Sequence, residues 1–138
     1  MHGTASITNA PPHQPIRKDN ISGTWKDSVA EKWIEIKLVL PDPLKTQVEG
    51  IISYSDGGSY PLAGFTDIFA ENGGLNWQGI TFSTYIDGPN ERICIIMAGY
   101  LNLSTNKISL TRFSAQSTKP DSTWQQVIMQ SCHFEKQP

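Results

Sequence analysis

The chain has 138 residues, of which 38% are hydrophobic and 17% charged, a composition that suits one globular domain and argues against a disordered chain. Eleven basic and thirteen acidic residues give a formal net charge of -2, and the basic residues are scattered along the chain. No basic stripe is therefore present to neutralise a nucleic-acid backbone, and we expect no nucleic-acid partner.

The longest wholly apolar run, from Ile93 to Ala98, is far shorter than the roughly 20 residues that cross a bilayer, so we expect no membrane partner. Residues 1–20 carry three prolines, no periodicity and no apolar core of the kind that a signal peptide needs. We interpret them as a flexible amino-terminal tail before one barrel domain over residues 21–136. The expected location is the cytoplasm, or outside the cell if a leader has been removed.

From Ile21 onward, short segments with period-two alternation lie between clusters of turn residues. The segment 32–40 shows the alternation best, since Ile34, Ile36 and Leu38 share one face. No window of a dozen residues has a helical period. Eight strands are predicted, over residues 21–27, 32–40, 47–55, 59–67, 74–83, 91–101, 106–115 and 123–135.

The predicted strands follow one another through short turns such as Asp56-Gly57-Gly58 and Ser104-Thr105-Asn106. Eight sequential strands with hairpin-length links favour an all-β, antiparallel up-and-down β-barrel, because closure removes the exposed edges of an open sheet. A barrel of eight strands is wide enough inside for one small ligand.

Catalytic and metal-binding motifs have little support in this sequence. Two histidines, His2 and His13, fall in the tail, and His133 faces outward if Cys132 faces inward. The separation of Cys94 and Cys132 matches neither a zinc site nor a CxxC motif; two free, buried thiols are expected, with one disulfide as the alternative. We therefore predict a protein that is not an enzyme and has no metal or cofactor.

Five segments carry a more specific pattern. They are Ile21-Ser-Gly-Thr-Trp25, Tyr60-Pro-Leu-Ala-Gly-Phe65, Leu75-Asn-Trp77, Ala98-Gly99-Tyr100 and Ser122-Thr-Trp124. Their order and spacing resemble the avidin and streptavidin family of biotin-binding barrels, over residues 21 to 136. The resemblance implies an avidin-like barrel, assembled into dimers or tetramers, with biotin as the candidate ligand at one open end.

Two positions retain the character that the resemblance implies for the pocket. Asp27 stands where the family has an Asn or Asp at the ureido oxygen of biotin, although an exposed turn carboxylate is the alternative. Trp124 stands where the family has a tryptophan that covers a neighbouring subunit's pocket, although it could instead close its own barrel. Trp25 is expected to plug the closed end.

Other positions depart from the family's pattern. The start of the second strand has no hydroxyl, and Ile52 replaces a tyrosine unless Tyr54 substitutes through a changed register. On the fifth strand Thr81 stands at the place of a tryptophan, so that Phe82 could serve only through a bulge.

The last three strands depart further. The sixth strand becomes apolar at Ile93, Ile95 and Met97, while Arg112 and Cys132 replace an inward tryptophan and an aspartate. Each unpaired polar group of a buried ureido ring costs roughly 1 to 3 kcal/mol, so several such losses should abolish tight biotin binding.

We therefore predict a non-enzymatic barrel with an apolar pocket for a small molecule, to which biotin binds weakly or not at all. One alternative is a true biotin binder whose site is rebuilt with shifted residues, Ser114 among them; another is an interaction or inhibitor module that uses the tail and the barrel as scaffold. Outward Ile96, Leu110 and Met129 would form a patch that favours a homo-oligomer. The predicted ligand-binding residues are Asp27, Tyr54, Phe82, Ile95, Met97, Arg112, Trp124 and Cys132.

Overall fold

The computed structural model describes residues 14–15, 19–29, 32–67, 69–70, 77–118 and 124–138, with backbone only at 14–15, 28–29, 69–70, 118 and 124–127. All its regular elements are β-strands. They are β1 (Gln14–Pro15), β2 (Gly23–Val29), β3 (Lys32–Val39), β4 (Gln47–Tyr54), β5 (Ser59–Thr66), β6 (Phe69–Ala70), β7 (Trp77–Asp87), β8 (Glu91–Asn102), β9 (Lys107–Thr118) and β10 (Trp124–Lys136).

Eight of these strands form a closed antiparallel barrel in the order β10-β2-β3-β4-β5-β7-β8-β9. The prediction of an eight-stranded up-and-down barrel is therefore confirmed. The largest boundary difference is in the fifth barrel strand, predicted over 74–83 and found over Trp77–Asp87. The predicted tail lies mostly outside the described residues, but Gln14–Pro15 pairs with Phe69–Ala70 in a separate two-stranded sheet.

The core is the inward face of the barrel, which regular alternation supplies on every strand. On β7 each second residue from Gln78 to Ile86 is buried. The predicted inward face of β3 is also confirmed, because Ile36 and Leu38 are buried and Ile34 packs against the core. Period-two patterning thus produces one continuous apolar interior.

Two glycines allow neighbouring strands to approach closely. A Cβ atom at Gly64 would lie 1.7 Å from the carbonyl oxygen of Thr81, and one at Gly99 would lie 1.9 Å from that of Ser109. No side chain fits at these distances, so both positions on the inner face require glycine. The strongly curved wall of the barrel depends on them.

Two predicted turns adopt backbone conformations that their residues favour. Gly57 has a φ of 105° and Asn106 a φ of 54°, the left-handed region where glycine and asparagine are enriched. Each turn joins two barrel strands by a short link.

No helix with the length and hydropathy of a membrane span occurs in the described residues.

One end of the barrel is plugged by Trp25, whose side chain has 0% exposure. Its indole Nε1 donates a hydrogen bond to the carbonyl of Ile21 at 2.9 Å. The ammonium of Lys136 lies 5.5 Å from the centre of the ring. The expected position of Trp25 as a plug is therefore confirmed, and we call this end the closed end.

Two expectations about outward residues are corrected. Leu110 is only 3% exposed, because it lies opposite Gly99 and Cys132 on the inner face. Ile96 and Met129 are 59% and 69% exposed, as predicted. The described outer patch therefore includes these two residues and not Leu110.

The two thiols lie on opposite faces of the barrel wall. Both are free, as expected, and Cys132 is buried, but Cys94 is exposed. The prediction of a buried Cys94 is wrong because its neighbours Ile93 and Ile95 take the inward positions of β8. His133 is exposed next to inward Cys132, as predicted, with its Nδ1 3.1 Å from the hydroxyl of Ser109.

Candidate functional site

A cavity of about 490 Å³ lies at the end of the barrel opposite Trp25, which we call the open end. The turn after β4 and the turn between β7 and β8 form part of its mouth. Its size is that of a typical small-molecule site. The side chains that give it chemical character are those of Tyr54, Tyr60, Ile86, Glu91, Ile93 and Arg112.

The register of the sheet explains why Tyr54 faces this cavity. Tyr54 lies opposite Ile34, which in turn lies opposite Asp27, so the three residues share the inner face near the open end. The ring of Tyr54 meets that of Tyr60 edge to face, with centroids 6.2 Å apart. This aromatic pair forms one wall of the cavity without any change of register.

Arg112 rises into the same cavity from the middle of β9. It lies opposite Met97, which lies opposite Phe82, and both of those side chains are buried in the core. Because this row is apolar and closely packed, the guanidinium extends toward the open end, where it contributes to the cavity lining.

Among the described residues that line the open-end cavity, two side-chain polar atoms are buried without a partner. The hydroxyl of Tyr54 and the Nε of Arg112 have no hydrogen bond within the described part of the chain. Burial raises the pKa of Tyr54, and the nearby positive charge of Arg112 opposes that shift. The phenol is therefore neutral at physiological pH and can donate its proton in a hydrogen bond.

Cys132 lies close to these groups but has little nucleophilic character. It is buried opposite Leu110, and burial raises the pKa of its thiol, with Arg112 opposing the shift and Asp27 adding to it. A neutral, buried thiol is a small hydrophobic group and a poor nucleophile. Its contribution here is to the packing below the cavity.

The structure thus brings four predicted site residues into one electrostatic neighbourhood. The positive charge of Arg112 opposes the rise in pKa that burial causes at both Tyr54 and Cys132, and the negative charge of Asp27 adds to the rise at Cys132. Asp27 itself lies beside a cleft of about 660 Å³ where β2 and β10 meet, and it does not line the open-end cavity. The four residues therefore face one interior region from two sides.

The cleft beside Asp27 differs from the open-end cavity because polar groups along it already have partners. Ser109 and His133 lie within hydrogen-bonding distance, and Lys107 forms an exposed ion pair with Glu135 at 3.4 Å. Such exposed pairs need no ligand to satisfy them. The open end is therefore the stronger candidate site.

The remaining predicted residues lie elsewhere. Phe82, Ile95 and Met97 are buried in the core below the cavity, whereas Ile93 lines it. Phe82 was predicted to face the interior only through a bulge, but the unbroken register of β7 and β8 turns it inward without one and turns Trp77 outward. The side chain of Trp124 lies outside the described residues.

Sequence reasoning missed Tyr60, Ile86 and Glu91 as cavity residues. For Tyr60 the signal was present, since it shares a face with the buried Leu62 two positions later. Glu91 carried the same signal, since it lies at the start of β8 two positions before inward Ile93. Its carboxylate accepts a short hydrogen bond from the side-chain amide of Gln116.

No cluster of three His, Cys, Asp or Glu side chains that could hold a metal ion occurs in the described part of the chain. No family model, curated protein or solved structure matches this sequence. The case for a function therefore depends on the geometry of the barrel and its open end.

Proposed function

We propose that this chain is a non-enzymatic binding protein that holds one small molecule in the open end of an avidin-like barrel. The observation that carries the proposal is the cavity of about 490 Å³ into which the unpaired hydroxyl of Tyr54 faces. Buried polar groups normally have partners, and a ligand can supply the one that the protein lacks. Ile86 and Ile93 would provide apolar contacts beside the aromatic rings of Tyr54 and Tyr60.

A neutral aromatic probe, N-phenyl-1-naphthylamine, tests for binding at this place. We expect its fluorescence to rise saturably with the wild-type protein, and Ile93→Trp to abolish the rise by filling the cavity. Ile96→Trp is the matched control, because Ile96 lies on the same strand but faces outward. Equal loss in both variants, or no saturable rise with the wild type, would contradict the proposed function.

Within the avidin-like interpretation, we propose that biotin binds weakly or not at all. The inner face offers Ile52, Ile95 and Met97, which are buried apolar side chains without hydrogen-bonding groups for a ureido ring. Each orphaned polar atom of biotin would cost roughly 1 to 3 kcal/mol. Calorimetric titration should give no saturation below millimolar biotin; micromolar binding would favour the alternative of a rebuilt biotin site.

We also propose a second copy of this chain as a partner. A continuous row of outward residues crosses five neighbouring strands through Ala63, Ser83, Ile96, Phe113 and Met129. The three large side chains in this row are exposed, and contiguous apolar surface of this kind favours association. Light scattering should find a dimer or larger assembly that Ile96→Glu dissociates; a wild-type monomer at micromolar concentration would contradict this.

A further inference from the structure

The open-end cavity contains a cation whose position is difficult to explain by folding alone. Among the described residues that line it, Arg112 is the one positively charged side chain. It makes no hydrogen bond or ion pair with another described residue, and its Nε is buried. Arg112 as a whole is half-buried, but a guanidinium N–H that is buried without a partner is costly, so the unpaired Nε in an apolar row points to a partner from outside the chain.

The acidic side chains around Arg112 do not supply that partner. Asp56 accepts a hydrogen bond from the backbone N–H of Gly58, and Glu91 accepts one from Gln116. Asp56 lies in the turn after β4 and Glu91 at the first position of β8, both at the mouth of the cavity. Arg112, by contrast, lies in the middle of β9. Asp27 forms no ion pair with Arg112 within the described structure and lies beside the other cleft.

A second donor lies next to the cation. The hydroxyl of Tyr54 is buried without a partner, and it lines the same cavity as Arg112, whose positive charge opposes the rise in the pKa of the phenol that burial causes. A guanidinium and a neutral phenol together offer hydrogens to a group that only accepts them. A carboxylate has that chemistry, and its planar shape matches the guanidinium.

The other walls define the rest of the ligand. Ile86 and Ile93 are apolar, and the ring of Tyr60 stands edge to face with Tyr54. Two carboxylates at the mouth, Asp56 and Glu91, disfavour ligands with several negative charges. The cavity therefore matches an apolar body with a single compact negative charge.

We infer that the open-end cavity selects a small monocarboxylate with an apolar body, whose carboxylate is held by Arg112 and Tyr54. This inference rests on the proposed function, because it names the ligand class of the same cavity. The apolar body lies against Ile86 and Ile93, and the carboxylate lies deeper than the acidic mouth. No covalent step is involved.

Competition against N-phenyl-1-naphthylamine tests this selectivity, with octanoate and octan-1-ol as probes of equal chain length. We expect the wild-type protein to bind octanoate roughly ten- to hundredfold more tightly than the alcohol, which is the range for a charge-assisted hydrogen bond. Arg112→Met should remove the preference while the neutral probe still binds. Arg112→Lys should show part of the preference that Arg112→Met loses, because lysine supplies the positive charge without the planar, bidentate guanidinium.

Matched variants separate this selectivity from general charge and folding effects. Lys37→Met removes an exposed cation of β3 and should leave the preference intact. Tyr54→Phe should weaken octanoate about tenfold and octan-1-ol much less. Circular dichroism of each variant checks that the barrel is retained.

The outcomes distinguish the inference from the proposed function. If the neutral probe binds the wild type but octanoate has no advantage over octan-1-ol, the ligand class is wrong and the binding function stands. A preference that survives in Arg112→Met also overturns the inference. If the probe does not bind the wild type at all, the proposed function fails and the inference fails with it.

Discussion

The two ends of the barrel treat their buried polar groups in different ways. At the closed end, the indole of Trp25 donates to the carbonyl of Ile21. The hydroxyl of Thr66 donates to the carbonyl of Gly79 and accepts from the amide of Gln78. At the open end, donors on Tyr54 and Arg112 have no partner in the described residues.

This contrast supports the proposal that the open end, and not the closed end, binds a ligand. Among the described residues of the closed end, the acceptor Oε1 of Gln78 is buried without a partner, but each of the donors described above is used. Unpaired acceptors are tolerated better than unpaired donors in folded proteins. The unpaired donors beside the open-end cavity are therefore the groups that the proposed ligand would satisfy.

The largest expected effect concerns the plug of the closed end. Trp25→Ala should lower the free energy of unfolding by about 3 to 5 kcal/mol, because it leaves a large cavity in the core and removes a buried hydrogen bond. Urea denaturation followed by circular dichroism measures this change.

Trp77→Ala is the matched control for the plug. Trp77 is 52% exposed and meets Tyr100 edge to face at 4.4 Å, so its loss should cost about 1 kcal/mol. Trp77 faces outward near the same end, so similar losses for the two tryptophans would show that the stability of the closed end does not depend on Trp25 as a plug.

A second prediction tests the close contact between strands. Gly64→Ala should destabilise the barrel by about 1 to 3 kcal/mol or more, because its Cβ would overlap the carbonyl oxygen of Thr81. Gly79→Ala is the control, since no atom lies within 4 Å of a Cβ there. If thermal melting finds the two variants equally stable, the proposed steric role of Gly64 is wrong.

The fold could be predicted from the sequence because each barrel strand alternates and each link is short. The pattern at Ile34, Ile36 and Leu38 determines both strand and face, and Gly57 and Asn106 mark turns directly. Period-two alternation and turn residues thus correctly indicated eight strands in sequential order, whereas membership of the avidin family stays a proposal.

The site could be predicted only in part, because face and depth are different properties. Alternation turns Phe82, Met97 and Arg112 inward on one row. It does not show that Phe82 and Met97 are buried in the core whereas Arg112 reaches the open-end cavity. That distinction depends on side-chain length and on how neighbouring strands are staggered. The error at Leu110 has a simpler cause: Leu110 lies two positions before Arg112 and shares its face, so an inward Arg112 already requires an inward Leu110.

A third prediction compares a paired with an unpaired hydroxyl. Thr66→Val should cost about 1 to 3 kcal/mol, because it leaves the amide of Gln78 without its acceptor. Tyr54→Phe should leave the free energy of unfolding unchanged or raise it by about 1 kcal/mol, because its hydroxyl has no partner to lose. Equal destabilisation by both changes would mean that the hydroxyl of Tyr54 is bonded within the folded chain.

The smallest expected effect is a fall in the free energy of unfolding that is absent at neutral pH and appears only at alkaline pH. Burial raises the pKa of Cys132 above its ordinary value of 9.0, despite the opposing charge of Arg112. The unfolded chain therefore loses this proton first, and the free energy of unfolding should fall as pH rises above about 9. Cys132→Ala should reduce that slope in urea titrations under reducing conditions, whereas Cys94→Ala, on the outer face, should preserve it. An identical slope in the wild type and Cys132→Ala would show that this thiol ionises as easily in the folded barrel as in the unfolded chain. The interior below the open-end cavity would then be more hydrated than the burial of Cys132 implies.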